Sequence, residues 1–266
     1  MYKIIEREGV KAVTYDSLSV AHGTSTRVGG VSPAPWTSLS LSTSTGDTPE
    51  RVEENRSRLG MALGLEIYSR IKMDHGINVV VLDSDSPADV FPEADACITN
   101  DSAYSLCLTT ADCVPILFHC PVTGAVGLAH AGWKGTLNGI ARETAMAMHK
   151  NFGSPIESLR AALGPAIGVC CFEVGAEVAQ EFEKRARERS WDEAQLVQPR
   201  PRVAGKYQVD LHRTNRFWLL EAGLQIASLS RCDLCTACNA ELFFSHRRDH
   251  GQTGRMMTAI QSTTLD

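Results

Sequence analysis

Cys113, preceded by Asp112, and His130 are the reactive residues of a largely apolar stretch, Leu106–Gly135. A thiol beside an imidazole offers two chemistries: nucleophile and base attacking a carbonyl, or deprotonated ligands holding a divalent ion. A third residue of suitable type, His75, stands in the turn signal Asp74-His75-Gly76, with 37 residues between it and Cys113 and 16 between Cys113 and His130. Two imidazoles and one thiolate suit Zn²⁺, and three protein ligands leave a fourth position for water or substrate, which is the habit of catalytic zinc. Cu²⁺ is the lesser candidate: Met73 would be its weak axial ligand, but the chain has no His-x-His pair of the multicopper kind. Structural zinc motifs carry ligand pairs a few residues apart, whereas these three are scattered, so only the fold can gather them. On spacing alone the plain alternative has the better claim: a small buried thiol and two histidines satisfied in core or turn.

The elements that must position these residues are legible from apolar runs and stop signals. Tyr104–Leu108, Pro115–Phe118 and Ala125–Ala129 read as buried strands, each giving way to a polar segment where a site can form. Two extended runs lie in residues 10–30, the second at Ala21–Thr26, followed by the glycine- and proline-rich loop Val28–Pro35. Thr48-Pro49-Glu50 opens a helix with Val52, Leu59 and Leu63 inward. Ile67–Met73 and Asn78–Leu82 read as strands of a hairpin around His75. Thr136–Lys150 reads as one helix, with Leu137, Ile140, Ala141, Thr144, Ala145 and Met148 on its buried face. Further on, the pattern predicts a strand Leu159–Leu163, a helix Val174–Glu188, a polar loop Arg187–Arg202 and a helix Leu211–Glu221 capped by Asp210. Strands follow at Leu224–Leu229 and Met256–Ile260. With no internal repeat or linker, the expectation is an α+β fold, one domain over residues 1–266 with mixed β-sheets flanked by helices.

Composition narrows the function classes. The chain has 266 residues, 43% hydrophobic and 21% charged, with a net charge of −5. That charge provides no broad basic field, so nucleic acid is not an expected partner. No apolar run approaches a membrane span and the first residues lack a signal-peptide core, so the expected setting is cytoplasmic, without a membrane partner, as a monomer or small homo-oligomer. Nine cysteines in that setting are expected to be mostly reduced thiols. Cys232-x-x-Cys235-x-x-Cys238 resembles a metal knuckle but lacks a nearby fourth ligand, and the adjacent Cys170-Cys171 reads as a pair of small buried residues.

An ordered set of short motifs spans nearly the whole chain: His22-Gly23 with Arg27-x-Gly29-Gly30-Val31-Ser32, Ser38-Leu39-x-Leu41, Asn55-Arg56, His75-Gly76, Asp95-Ala96, Thr110-Ala111-Asp112-Cys113-x-Pro115, His130-Ala131-Gly132-Trp133-x-Gly135-Thr136, Leu163-Gly164-Pro165-x-Ile167-Gly168, Asp210-Leu211, Cys235-Thr236, Phe244-Ser245-x-Arg247-Arg248-Asp249 and Thr253-Gly254-Arg255. As a set they resemble the YfiH-type family, known as laccase-domain or polyphenol oxidase proteins, as peptidoglycan editing factors, and as purine nucleoside phosphorylases. The resemblance implies a catalytic zinc on His75, Cys113 and His130. It also implies phosphorolysis of adenosine, inosine and S-methyl-5′-thioadenosine with inorganic phosphate, and deamination of adenosine. Asp112 is then a candidate for proton transfer, or alternatively a cap for backbone amides. Arg27, Arg247 and Arg255 are candidates for the phosphate cradle, with Arg248 read as solvated, and His22 and Lys134 are expected beside the substrate. The family's fold is shared with a cysteine-hydrolase toxin family, which keeps open a Cys113–His130 thiol hydrolase or amidase acting on peptidoglycan precursors; a copper-dependent phenol oxidase is the other rival. The chain departs from the family pattern at Ser40, Met73, Lys134 and His246, residues expected to alter the pocket and not the metal ligands.

Overall fold

The three apolar runs of the central stretch form strands Ser105–Thr110, Val114–His119 and Val126–Ala131, and all but one of their residues are buried. The computed structural model describes residues 1–67, 71–83, 86, 92–200 and 203–263. Ser105–Thr110 belongs to an antiparallel five-stranded sheet in the order Tyr2–Arg7, Val10–Tyr15, His22–Ser25, Met256–Gln261, Ser105–Thr110. The other two lie at the centre of a mixed six-stranded sheet, ordered Leu229–Arg231, Arg160–Leu163, Val114–His119, Val126–Ala131, Ala96–Thr99, Val79–Val81. The corner Ala111-Asp112-Cys113 therefore carries the chain from one sheet to the other.

These strands read as continuous apolar runs because both faces are covered. Leu106 and Leu108 of one sheet meet Leu117 and Leu128 of the other, together with Phe243, Phe244 and Met256. The opposite face of the six-stranded sheet, with Ile116, Phe118 and Ala129, packs on Ala141, Ala145 and Met148 of helix Ile140–Phe152 and on Trp218 of helix Leu211–Ala222. Helix Pro49–Leu63 covers the outer face of the five-stranded sheet with Leu59, Ala62 and Leu63. A three-stranded sheet, Glu173–Gly175, Lys206–Val209 and Val197–Pro199, and helix Ala176–Glu188 complete a mixed α+β architecture. No helix among the described residues is long and apolar enough to cross a membrane.

Several expectations are corrected. The single helix over Thr136–Lys150 is two, Trp133–Asn138 and Ile140–Phe152. Gly139 between them has φ +87°, and a Cβ there would lie 3.1 Å from the Trp218 ring, so the break is a glycine corner under an indole. Among the described residues the expected hairpin around His75 does not form: Val79–Val81 pairs in parallel with Ala96–Thr99, and Lys72 bridges in parallel to Glu93. Residues 68–70 of the first expected strand lie outside the described residues. Glu173–Gly175 is strand and its helix begins at Ala176. Within the expected polar loop Arg187–Arg202, the helix runs to Glu188, and Val197–Pro199 joins the small sheet; residues 201 and 202 are not described. Leu224–Leu229 is mostly a tight helical turn, Ile226–Ser228, leading into strand Leu229–Arg231. Tyr2–Arg7, a run with no expected element, is a strand at an exposed sheet edge, where charge blunts further pairing.

Candidate metal centre

Cys113 and His130 come together through strand register. Val114 pairs with Ala131 and Pro115 with His130, so the thiol at the inter-sheet corner stands beside the imidazole on the neighbouring strand. His75 arrives from the turn at Asp74–Gly76, and one carboxylate fixes that turn: Asp95 accepts from the amides of His75 at 3.1 Å and Gly76 at 2.6 Å. His75 has φ +65°, a left-handed conformation that the Asp95 contacts hold in place. The ligand atoms of His75, Cys113 and His130 all lie within 4.8 Å of one another, and the two imidazoles meet edge-on with centroids 4.9 Å apart.

The donor set fits a metal ion. His130 donates from Nδ1 to Asp95 Oδ1 at 2.7 Å, which directs Nε2 toward Cys113 in the manner of a carboxylate-backed ligand. Gly132 leaves the space open: a Cβ there would lie 3.1 Å from His75 Cδ2 and 3.4 Å from Cys113 Sγ. Burial pushes the Cys113 thiol up, but His130 and His75 outweigh it and bring it down to about 6. Burial likewise disfavours a charged His130, yet Cys113 and Asp95 push it up to about 10. Each partner thus favours the charged form of the other, and the thiolate is the form that ligates a metal. Asp95 stays ionised despite its burial, because His130, Asp74 and the Gly76 amide favour its charge.

The three residues line a cavity of about 400 Å³ together with Met73, Asp112, Phe172, His246, Arg247 and Arg255. The other expected site residues fall on both sides of its boundary. Asp112, at φ +90°, has both carboxylate oxygens engaged, by Thr236 Oγ1 at 2.6 Å and the Arg247 amide at 2.7 Å, the capping alternative. Arg247 donates to the Glu173 carbonyl and covers the Phe172 ring, and Arg255 donates to the carbonyls of Thr253 and Gly254. Arg27 is outside the lining: it braces the carbonyls of Thr37 and Ala240 over the Phe244 ring. His22 is also outside it, accepting from the Tyr15 amide and donating to the Val20 carbonyl within the sheet. Lys134 is exposed above Trp133. Of the departures from the family pattern, Met73 and His246 face the cavity, whereas Ser40 is buried behind the Arg255 amide.

Sequence reasoning missed the role of Asp95, which stands 35 residues from His130 and meets it only because Ala96 pairs with Ala129. It also misread the other cysteines. Cys170 is exposed and Cys171 half-buried, and their sulfurs gather with those of Cys235 and Cys238, all four within 4.8 Å. Cys232 is buried elsewhere and takes no part.

The sequence profile of the family described as multi-copper polyphenol oxidoreductase laccase matches residues 21–263. The chain belongs to this YfiH-type family. The YfiH-type protein named purine nucleoside phosphorylase YlmD from Geobacillus stearothermophilus is 36% identical over 90% of this chain and 88% of its own length. A protein named purine nucleoside phosphorylase from Deinococcus radiodurans is 38% identical over 95% of this chain and 93% of its own. The crystal structure of the YfiH hypothetical protein of Bacillus licheniformis superposes with a TM-score of 0.89 at 30% identity, covering 98% of this chain and 99% of that one. The α+β architecture above is therefore the YfiH-type fold.

Proposed function

We propose that the chain is a zinc-dependent purine nucleoside phosphorylase acting on adenosine, inosine and S-methyl-5′-thioadenosine, with adenosine deaminase activity. One observation carries the reading: two imidazoles and a cysteine sulfur converge in a cavity that also presents Arg247 and Arg255. The names of the relatives supply the substrate class. His75, Cys113 and His130 would hold the ion, which would supply Lewis-acid chemistry there. Arg255 and Arg247 orient and charge-balance phosphate, since guanidinium forks match its oxygens. Phe172, clamped under Arg247, offers an apolar face for the purine. In phosphorolysis a phosphate oxygen bonds to C1′ as the C1′–N9 bond breaks; the base leaves with the bonding pair and takes up a proton, giving ribose 1-phosphate. In deamination water adds at C6 and ammonia departs, giving inosine. Asp112 is a positioning residue here, tying the Cys113 corner to the segments carrying Thr236 and Arg247. One catalytic domain working in a reducing cytoplasm belongs to the same reading, because the centre requires reduced sulfur.

The test is to incubate metal-quantified protein with adenosine, with and without phosphate, and to resolve adenine, inosine and ribose 1-phosphate. Adenine and ribose 1-phosphate in equal amounts only with phosphate, and inosine with or without it, are expected. No product at one zinc per chain overturns the proposal, and copper in place of zinc overturns its metal.

A second reading draws on the chain Cys113, His130, Asp95, which has the order of a nucleophile, base and orienting acid. A thiol hydrolase or amidase predicts that zinc leaves Cys113 open to alkylation; a ligated thiolate is shielded.

A further inference from the structure

The second group of sulfurs stands apart from the candidate active centre. It joins two turns distant in sequence. The first is the tight turn after Gly168, whose carbonyl accepts from the amides of Cys171 and Phe172, both at 2.9 Å. That turn brings adjacent cysteines to one side: Cys170 Sγ lies 3.6 Å and Cys171 Sγ 3.4 Å from Cys238 Sγ. The second turn, Cys235-x-x-Cys238, is locked to the first by a β-bridge between Ala166 and Cys235 and by the Thr236 amide donating to the Ala166 carbonyl at 3.0 Å. Gly168 faces the cluster. A Cβ there would lie 3.2 Å from Cys170 Sγ and from Cys235 Cβ, so the turn leaves its space to sulfur.

We propose that Cys170, Cys171, Cys235 and Cys238 form a second metal site, a closed four-thiolate structural site for zinc. Four thiolates around Zn²⁺ at its usual bond length of about 2.3 Å stand about 3.8 Å apart, close to the two spacings above. The cluster is too tight to straddle several irons, which sets it apart from an iron–sulfur site. The Gly168 amide donates to Cys235 Sγ at 3.2 Å, the kind of second-shell bond that supports a metal thiolate. Four thiolates and one divalent ion leave two negative charges, and the adjoining hollow is lined by Arg200, Arg247 and Arg248 together with Glu173, which pairs with Arg200. No fifth position remains for substrate, so the ion is structural. It holds the wall of the other cavity: Cys171 precedes Phe172, Arg247 donates to the Glu173 carbonyl at 2.7 Å, and Thr236 beside Cys235 holds Asp112.

The test reads metal and not turnover, so it fails or succeeds independently of the proposed activity. The full chain carrying His75→Ala and Cys113→Ser, purified under reducing conditions, is expected to hold about one zinc, and cobalt substituted there is expected to show an intense thiolate charge-transfer band. Adding Cys235→Ser with Cys238→Ser removes both. The single Cys170→Ser variant, which leaves three sulfurs, guards against misfolding: it is expected to keep native circular dichroism while binding zinc more weakly. Three results overturn the proposal: no zinc bound or taken up by the His75→Ala/Cys113→Ser protein, iron bound in place of zinc, or an intact mass two hydrogens low with a disulfide among the four cysteines.

Discussion

Asp95 Oδ1 accepts a hydrogen bond from His130 Nδ1 at 2.7 Å while the same carboxylate gathers the amides of His75 and Gly76. One acid thus orients one candidate ligand by its side chain and another by its backbone. Asp95→Asn keeps the shape but loses the charge opposite His130. The expected outcome is a 10- to 100-fold loss of zinc affinity, the usual cost of removing such a partner, read by competition with a chromogenic chelator. Unchanged affinity would show that the turn holds itself.

Gly132 has φ −65° and ψ 173°, which alanine adopts without strain, so Gly132→Ala is a steric probe of the centre. Its methyl would lie 3.1 Å from His75 Cδ2 and 3.4 Å from Cys113 Sγ. His75, exposed on a turn, gives way first. Zinc affinity is expected to fall at least several-fold while the unfolding free energy changes by about 1 kcal/mol or less. Equal zinc content under chelator challenge would mean that the ligands do not close on the space beside Gly132.

His119 links pH to stability through a different part of the molecule. It is 2% exposed, its Nδ1 is buried without a partner among the described residues, and Arg160 lies directly across the strands. Burial first, then Arg160 and His22, push it down to about 4, whereas the unfolded chain protonates it near 6.5. Between those values the unfolded state binds the extra proton, so stability is complete above pH 6.5 and falls as pH drops, by up to about 1.4 kcal/mol per pH unit. Urea midpoints at pH 7 and pH 5 are expected to converge in His119→Gln relative to the parent protein. Identical pH slopes in both proteins would rule out this residue as the cause.

The arginines divide by position. Arg255 lines the cavity, where it feels the charges of Cys113 and Asp112, while Lys134 is exposed outside it. Arg255→Ala is expected to raise the KM for phosphate roughly ten-fold or more, the value of a charge-assisted bond of about 1.5–3 kcal/mol. Lys134→Ala is expected to change it less than about two-fold. The reverse ranking would move the phosphate site to the surface around Trp133.

The fold was legible where local pattern decides it. The buried strands around Cys113 and His130 and the helix stop at Gly153 follow from apolar runs and from glycine in the left-handed region. The candidate ligand set at His75, Cys113 and His130 was legible only as a resemblance, because what gathers it is non-local: a corner between two sheets, a strand register, and an acid 35 residues from the histidine it orients. The hairpin misreading around His75 has the same origin. A turn signal says that the chain bends there, but Asp95 and the strand Ala96–Thr99 decide what its flanks meet. The four sulfurs escaped for a parallel reason, since Cys170-Cys171 and Cys235-x-x-Cys238 are each incomplete and tertiary contacts such as the Ala166–Cys235 bridge add them together.

The decisive measurement is phosphate-dependent release of ribose 1-phosphate from inosine by the zinc-loaded protein, beside His75→Ala of matched folding stability. The expected result is turnover that requires phosphate and falls at least 100-fold in His75→Ala, whose exposed side chain contributes to the centre and little to the core. Equal rates in the two proteins, or no ribose 1-phosphate from the zinc-loaded parent, would contradict phosphorolysis at this centre.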